Sequence, residues 1–188
     1  SLILHKYSGE VLLEDNLTLN VLSIFDETNW QDPTDPTAIN IALYHGAINN
    51  SQTDMGWIMD HGDHDIKVFD RFDYAMLGDI HKRQYLNNEK TIAYCGSLIQ
   101  QNHGESIGHG YLLWEVETKK SEYIEIPNDY GYYTIDIDKG IVPDVKGMPK
   151  KARLRVRVSN TNGIELKKAL AIIHHRYGIK DVTITKVD

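Results

Sequence analysis

Cysteine is nearly absent from this chain. Cys95 stands alone in 188 residues, which excludes an internal disulfide framework. No CxxC pair surrounds it, so the usual zinc pattern is missing too, and Thr91-Ile92-Ala93-Tyr94-Cys95-Gly96-Ser97 reads as a strand ending in a turn. A lone thiol fits a reducing interior, and a cytoplasmic or nuclear location is expected. Long apolar runs are also missing. No stretch approaches the roughly 18 consecutive apolar residues of a membrane span. Ser1-Leu2-Ile3-Leu4-His5-Lys6 has no charged flank, long apolar core or cleavage site of a signal peptide. Positive charge is scarce overall: 20 Lys and Arg face 27 Asp and Glu, for a net charge of -7. That balance argues against indiscriminate nucleic-acid binding.

What is present suffices for a core. With 41% hydrophobic residues the chain can fold as one domain, or as one domain and a small second one. The charge is divided unevenly. Residues 150–188 carry ten Lys or Arg against three Asp or Glu, a local +7 that leaves -14 for residues 1–149. Two regions with different tasks are expected, with boundaries 1–128 and 129–188.

Strands are expected at 18–24, 39–44, 72–77, 91–95, 111–116 and 121–126, with a proline-containing loop at 31–36. Residues 49–65 read as a long polar connection with room for a short helix. In the C-terminal region 132–137 is strand-like, and Ala152-Arg153-Leu154-Arg155-Val156-Arg157-Val158 is the cleanest alternation in the chain. Period two places Ala152, Leu154, Val156 and Val158 on one face and three arginines on the other. Asn162 and Glu165 have capping-box spacing, Leu166, Ala169, Leu170, Ile173 and Tyr177 form a helical stripe, and Gly178 ends it. A last strand at 182–187 completes a β-β-α-β module.

Candidate chemistry gathers where apolar segments stop. Leu43-Tyr44-His45-Gly46 and Met76-Leu77-Gly78-Asp79-Ile80-His81 each end on a small residue and metal-capable side chains. Two imidazoles and a carboxylate suit Mn²⁺, Fe²⁺ or Zn²⁺ better than Ca²⁺. Two such ions could bridge a phosphate and activate a water, but His45, Asp79 and His81 are too few for a metal pair. Gly46, Gly96 and Ser97 could admit a close backbone approach near such a site. Lys82 and Arg83 could meet a phosphate backbone, His103 could line a cleft, and Arg153, Arg155 and Arg157 could contact DNA phosphates. Each also has a plainer role as turn, hairpin or solvated face. The dense run His61-Gly62-Asp63-His64-Asp65 reads as a solvated turn, and His174 and His175 as surface residues.

The ordered set Leu43-Tyr44-His45-Gly46, Asp73–Gln84, Ile92–Ser97 and Gly108–Val116 resembles the calcineurin-like metallophosphoesterases. The resemblance is closest to the SbcD-like branch, the nuclease subunits of double-strand-break repair complexes, in a viral or phage-type form. It covers about residues 17–127 well and the tail more loosely. It implies the C-terminal part of a two-sheet metallophosphoesterase sandwich of mixed sheets flanked by helices, followed by a small α+β capping domain at 129–188 that positions DNA. It further implies a two-Mn²⁺ site, with Mg, Fe or Zn as substitutes. His45 and His81 match ligand positions, and Asp79 stands where the family's GHxH motif has its first histidine. Gly96-Ser97 matches the family's glycine-serine step.

Ahead of these segments the family's DxH, GDxxD and GNHD/E motifs, with most metal ligands and the catalytic histidine, do not occur. The resemblance therefore implies part of a Mn²⁺-dependent DNA exo/endonuclease of repair and recombination, with weak or no metal binding by this segment alone. DNA and an SMC-like ATPase are the partners it implies. A missing half on another polypeptide, or a homodimer through an exposed sheet edge, stays open. The alternatives are a non-catalytic DNA- or protein-binding module and a small-molecule phosphodiesterase.

Overall fold

The run Ile39–His45 is apolar and buried along most of its length, which suits an interior strand of a parallel sheet covered on both faces. It takes that place in the computed structural model, which describes residues 3–179 and 181–187. In chain order the elements are β1 (Gly9–Glu14), β2 (Leu17–Leu22), β3 (Ile39–His45), β4 (Tyr74–Gly78), β5 (Gln84–Tyr85), β6 (Ile92–Tyr94), β7 (Gly110–Glu115), β8 (Lys120–Glu125), β9 (Tyr130–Asp138), β10 (Lys151–Ser159), α1 (Gly163–Tyr177) and β11 (Val182–Lys186). The chain divides into two units, Ser1–Leu98 with Gly110–Glu125, and Ile99–His109 with Ile126–Asp188.

The boundary expected after residue 128 thus falls at 125, and residues 99–109 group with the C-terminal unit. Bonds between segments distant in sequence tie residues 99–109 to that unit. The Gln100 side-chain oxygen accepts from the Tyr132 backbone N–H at 2.7 Å, and the Ile126 N–H donates to the His109 carbonyl at 2.9 Å.

The first unit is built on a six-stranded sheet in the order β1-β2-β3-β4-β6-β5. Strands β2, β3, β4 and β6 run parallel, with β1 and β5 antiparallel at the two edges. Neither edge strand is among those expected from the sequence. Most of β1 is exposed, so it lacks the buried face that produces a readable alternation, and β5 is two residues long. One sheet face packs Leu22, Tyr44, Leu77 and Tyr94 against Ile48 and Phe69. Burying each such side chain is worth about 1.5–3 kcal/mol. On the other face the antiparallel β7–β8 hairpin brings Trp114 edge-on to Tyr74, ring centroids 5.7 Å apart, while the Tyr74 hydroxyl donates to the Val116 carbonyl at 2.5 Å.

Polar anchors set the entry ends of the central strands. Buried Asn40 donates to the Asp35 and Ala38 carbonyls, and its backbone N–H donates to the Asp73 carboxylate at 2.9 Å. The flanking helices implied by the resemblance do not occur among the described residues of this unit. Its helical content is two 3-10 turns, Glu27–Asn29 and Ile66–Phe69. The second follows the polar 49–65 connection and is capped by Asp65, whose side chain accepts from the Lys67 N–H.

In the second unit β10 lies between β9 and β11, all three parallel. The alternation read in β10 is the observed one: Ala152, Leu154, Val156 and Val158 are buried with Ile135, Ile137, Ala169 and Ile173. Helix α1 starts with a complete capping box, Asn162 accepting from the Ile164 and Glu165 N–H groups and Glu165 accepting from the Asn162 N–H. Gly178 ends it in the left-handed conformation at φ 67°. His174 and His175 are exposed on its last turn.

Candidate functional site

Because four strands of the first unit are parallel, their carboxyl ends share one rim of the sheet, where ligands bind in open α/β sheets. His45 is the last residue of β3 and pairs in register with Gly78, the last of β4. Glycine at 78 lets the His45 imidazole lie close, since a Cβ at that position would come within 2.8 Å of it and make the ring shift. Asp79 follows at φ 91°, a region that side-chain-bearing residues rarely adopt. Ile80 is then buried, and Asp79 and His81 are both exposed on either side of it.

Gly96, just beyond β6, closes the third side. It adopts φ 79°, and a Cβ there would lie 2.7 Å from the His81 carbonyl and 3.2 Å from the Arg83 backbone nitrogen. The Gly96-Ser97 turn therefore rests against the His81–Arg83 backbone. Beside His45 the sheet face bearing Val21, Leu43 and Met76 opens into a concavity of about 670 Å³ bordered by Phe25 and Cys95. The rim thus joins polar strand ends to an apolar wall.

Not every candidate faces this rim. Lys82 donates its ammonium to the Gln52 side-chain oxygen at 2.5 Å, and the Arg83 guanidinium lies 3.9 Å from the Tyr123 ring. Both cations have partners within the unit. His103 belongs to the second unit, its ring edge-on to Tyr132 at 4.9 Å. Burial, and then the positive charge of Arg155, hold the His103 pKa below its ordinary value. Of the arginine stripe, Arg157 is committed to Asp136 through two bonds of 2.6 and 2.7 Å, while Arg153 reaches the Tyr132 hydroxyl at 3.0 Å.

The residues that hold the rim in shape carry little signal in the sequence. Tyr94 is fully buried, its hydroxyl donating to the Gly46 carbonyl at 2.7 Å and accepting from the Ile48 N–H at 2.9 Å. Burial pushes its pKa up to about 12, with the carboxylates of Asp79 and Asp63 adding to the rise. Asp63 accepts from the Ala47 N–H at 2.9 Å.

In the run 61–65 the exposed turn expected from its polarity holds for His61, Asp63 and Asp65, while His64 is partly buried. His64 packs 4.7 Å from the Trp30 ring and 5.6 Å from Tyr44, with Glu27 3.5 Å from its Nε2. Burial, with the Asp63 charge next, raises the pKa of Tyr44. The density of polar residues in so short a loop was the available signal.

Two imidazoles and a carboxylate are the right kind of donor for a borderline divalent ion. They fall short in number: among the described residues no group of three or more His, Cys, Asp or Glu is gathered to hold a metal ion.

No protein-family model matches the sequence. The chain is similar to an uncharacterized protein of Acanthamoeba polyphaga mimivirus, 40% identical over 178 residues that cover 89% of this chain. It spans only 13% of that relative's length.

Proposed function

We propose that this chain contributes one side of a metal-dependent phosphodiesterase site acting on DNA, with His45, Asp79 and His81 as the ligands it offers. The observation that carries this reading is the meeting of His45 with Gly78 at paired carboxyl ends of β3 and β4, followed directly by Asp79 in a strained conformation. Backbone strain kept at a strand end is a mark of functional sites. The donors fit Mn²⁺ in kind and not in number, so no step of hydrolysis is assigned to this chain alone. When bound, the metals of such a site polarise a phosphate and supply an activated water. The chain's own part is to hold the two histidines and the aspartate at a rigid rim.

The test is paramagnetic broadening. Substoichiometric Mn²⁺ should broaden the imidazole resonances of His45 and His81 ahead of those of His174 and His175, and His81→Ala should remove the effect at His45. Equal broadening of all four would sink the reading.

A non-catalytic nucleic-acid-binding module is the second reading, favoured by charge. The second unit holds twelve Lys or Arg against eight Asp or Glu, while the first holds eight against nineteen. It requires metal-independent, salt-sensitive binding by the full chain.

A further inference from the structure

Helix α1 covers one face of the β9–β10–β11 sheet through Ala169 and Ile173. The opposite face carries a different chemistry. Register sets Lys151 against Tyr130, Arg153 against Tyr132 and Arg155 against Thr134, so two tyrosines stand directly beside two cations. We propose that this face binds a single strand of nucleic acid, with bases stacking on Tyr130 and Tyr132 and phosphates meeting Lys151, Arg153 and Arg155.

The tyrosines are placed as platforms. Tyr130 is 62% exposed, far more than a tyrosine serving a core would be. Lys151 Nζ lies 4.7 Å from its ring and 3.3 Å from its hydroxyl. Arg153 holds Tyr132 in the same manner through the 3.0 Å bond to its hydroxyl. Alternate residues of a strand stand about 6.6 Å apart on one face, which separates the two rings enough for each to take its own base. Beside them is a concavity of about 590 Å³ lined in part by Gln100, Tyr130, Tyr132, Lys151, Arg153 and Ile179. His103 extends the aromatic wall beside Tyr132, its ring edge-on at 4.9 Å.

Charge selects the same end of the face. Arg157 is engaged by Asp136 through a bidentate pair of bonds, a stronger arrangement than a single exposed contact, which makes the far end of the stripe the less available to phosphate. Arg153 also has Asp181 3.5 Å from its Nε, but both side chains are about two-thirds exposed, and such a pair is weak in water. Lys151, Arg153 and Arg155 therefore form the cationic segment, and the tyrosines lie along it. A duplex hides the faces of its bases, so tyrosines would add nothing to its binding. A single strand uses both features, stacking without sequence readout and electrostatics along its backbone. An acidic peptide would use the cations and leave the rings idle.

This inference deepens the DNA-directed reading by naming the form of the substrate. Its test excludes metal, so it fails or succeeds separately from the histidine site. Binding of fluorescein-labelled oligothymidylate, oligouridylate and a duplex of equal length would be measured by anisotropy with the full chain in EDTA. Expected is salt-sensitive binding of a single strand, tighter than the duplex. Tyr130→Ala and Tyr132→Ala should each weaken it by about tenfold, and Tyr130→Phe and Tyr132→Phe should retain it. Arg155→Ala should flatten the salt dependence. No binding at low salt, equal affinity for duplex, or alanine variants that bind like wild type with unchanged circular dichroism would each overturn the proposal.

Discussion

The hydroxyl of Tyr94 donates to the carbonyl of Gly46 at 2.7 Å, tying the end of β6 to the turn that follows His45 across the intervening β4. The same oxygen accepts from the Ile48 N–H, so one side chain satisfies two buried backbone groups of that turn. Tyr94→Phe leaves both without the partner they have here. It is expected to lower stability by about 1–3 kcal/mol in urea unfolding. Amide exchange should quicken at Ile48 more than in β10, which belongs to the other unit. Unchanged exchange at Ile48 would show that the turn holds by other means.

The raised pKa of Tyr94 has a consequence at alkaline pH. In the unfolded chain the phenol ionises near pH 10, whereas in the fold burial delays ionisation to about 12. Between these values the unfolded state binds fewer protons, so stability falls as pH rises through that window. Thermal unfolding from pH 9 upward should show the decline, and Tyr94→Phe should make it shallower. A profile identical in the two proteins would assign the alkaline loss to other groups.

Asp79 keeps φ 91° where glycine would be unstrained. Asp79→Gly is expected to raise stability by about 1 kcal/mol while removing a carboxylate from the rim. If the aspartate is retained for binding, the variant should gain in chemical denaturation and lose the Mn²⁺ broadening at His45. A clear loss of stability would instead give the Asp79 side chain a structural role.

Gly96 combines a left-handed backbone with a close approach to the His81 carbonyl. Gly147 has a similar φ of 75° and open space around it. Alanine at both positions imposes the backbone cost, and only Gly96→Ala adds the clash. Gly96→Ala should therefore be the more destabilising by about 1–3 kcal/mol, and should shift the His81 amide resonance. Equal losses would mean that the two segments part without cost.

Much of the fold is legible in the residues themselves. The alternation of β10 and the capping box and stripe of α1 appear in the structure where period and spacing put them, because each is a local pattern with one buried face. β1 escapes such reading because it is largely exposed, and its place comes from pairing with β2. Residues 99–109 carry no mark of their unit either, since single long-range bonds such as that from Tyr132 to Gln100 assign them.

The candidate site divides along the same line. The sequence alone determines that His45 and Gly78-Asp79-Ile80-His81 close two apolar segments, because an abrupt change from apolar to polar is visible one residue at a time. Their adjacency is decided by the parallel register of β3 and β4. Tertiary structure alone also decides that Asp79 is strained, that Lys82 and Arg83 are held by Gln52 and Tyr123, and that Asp63 and Tyr94 shape the turn. Each depends on partners at least sixteen residues away or on a dihedral angle, and neither is written in local composition.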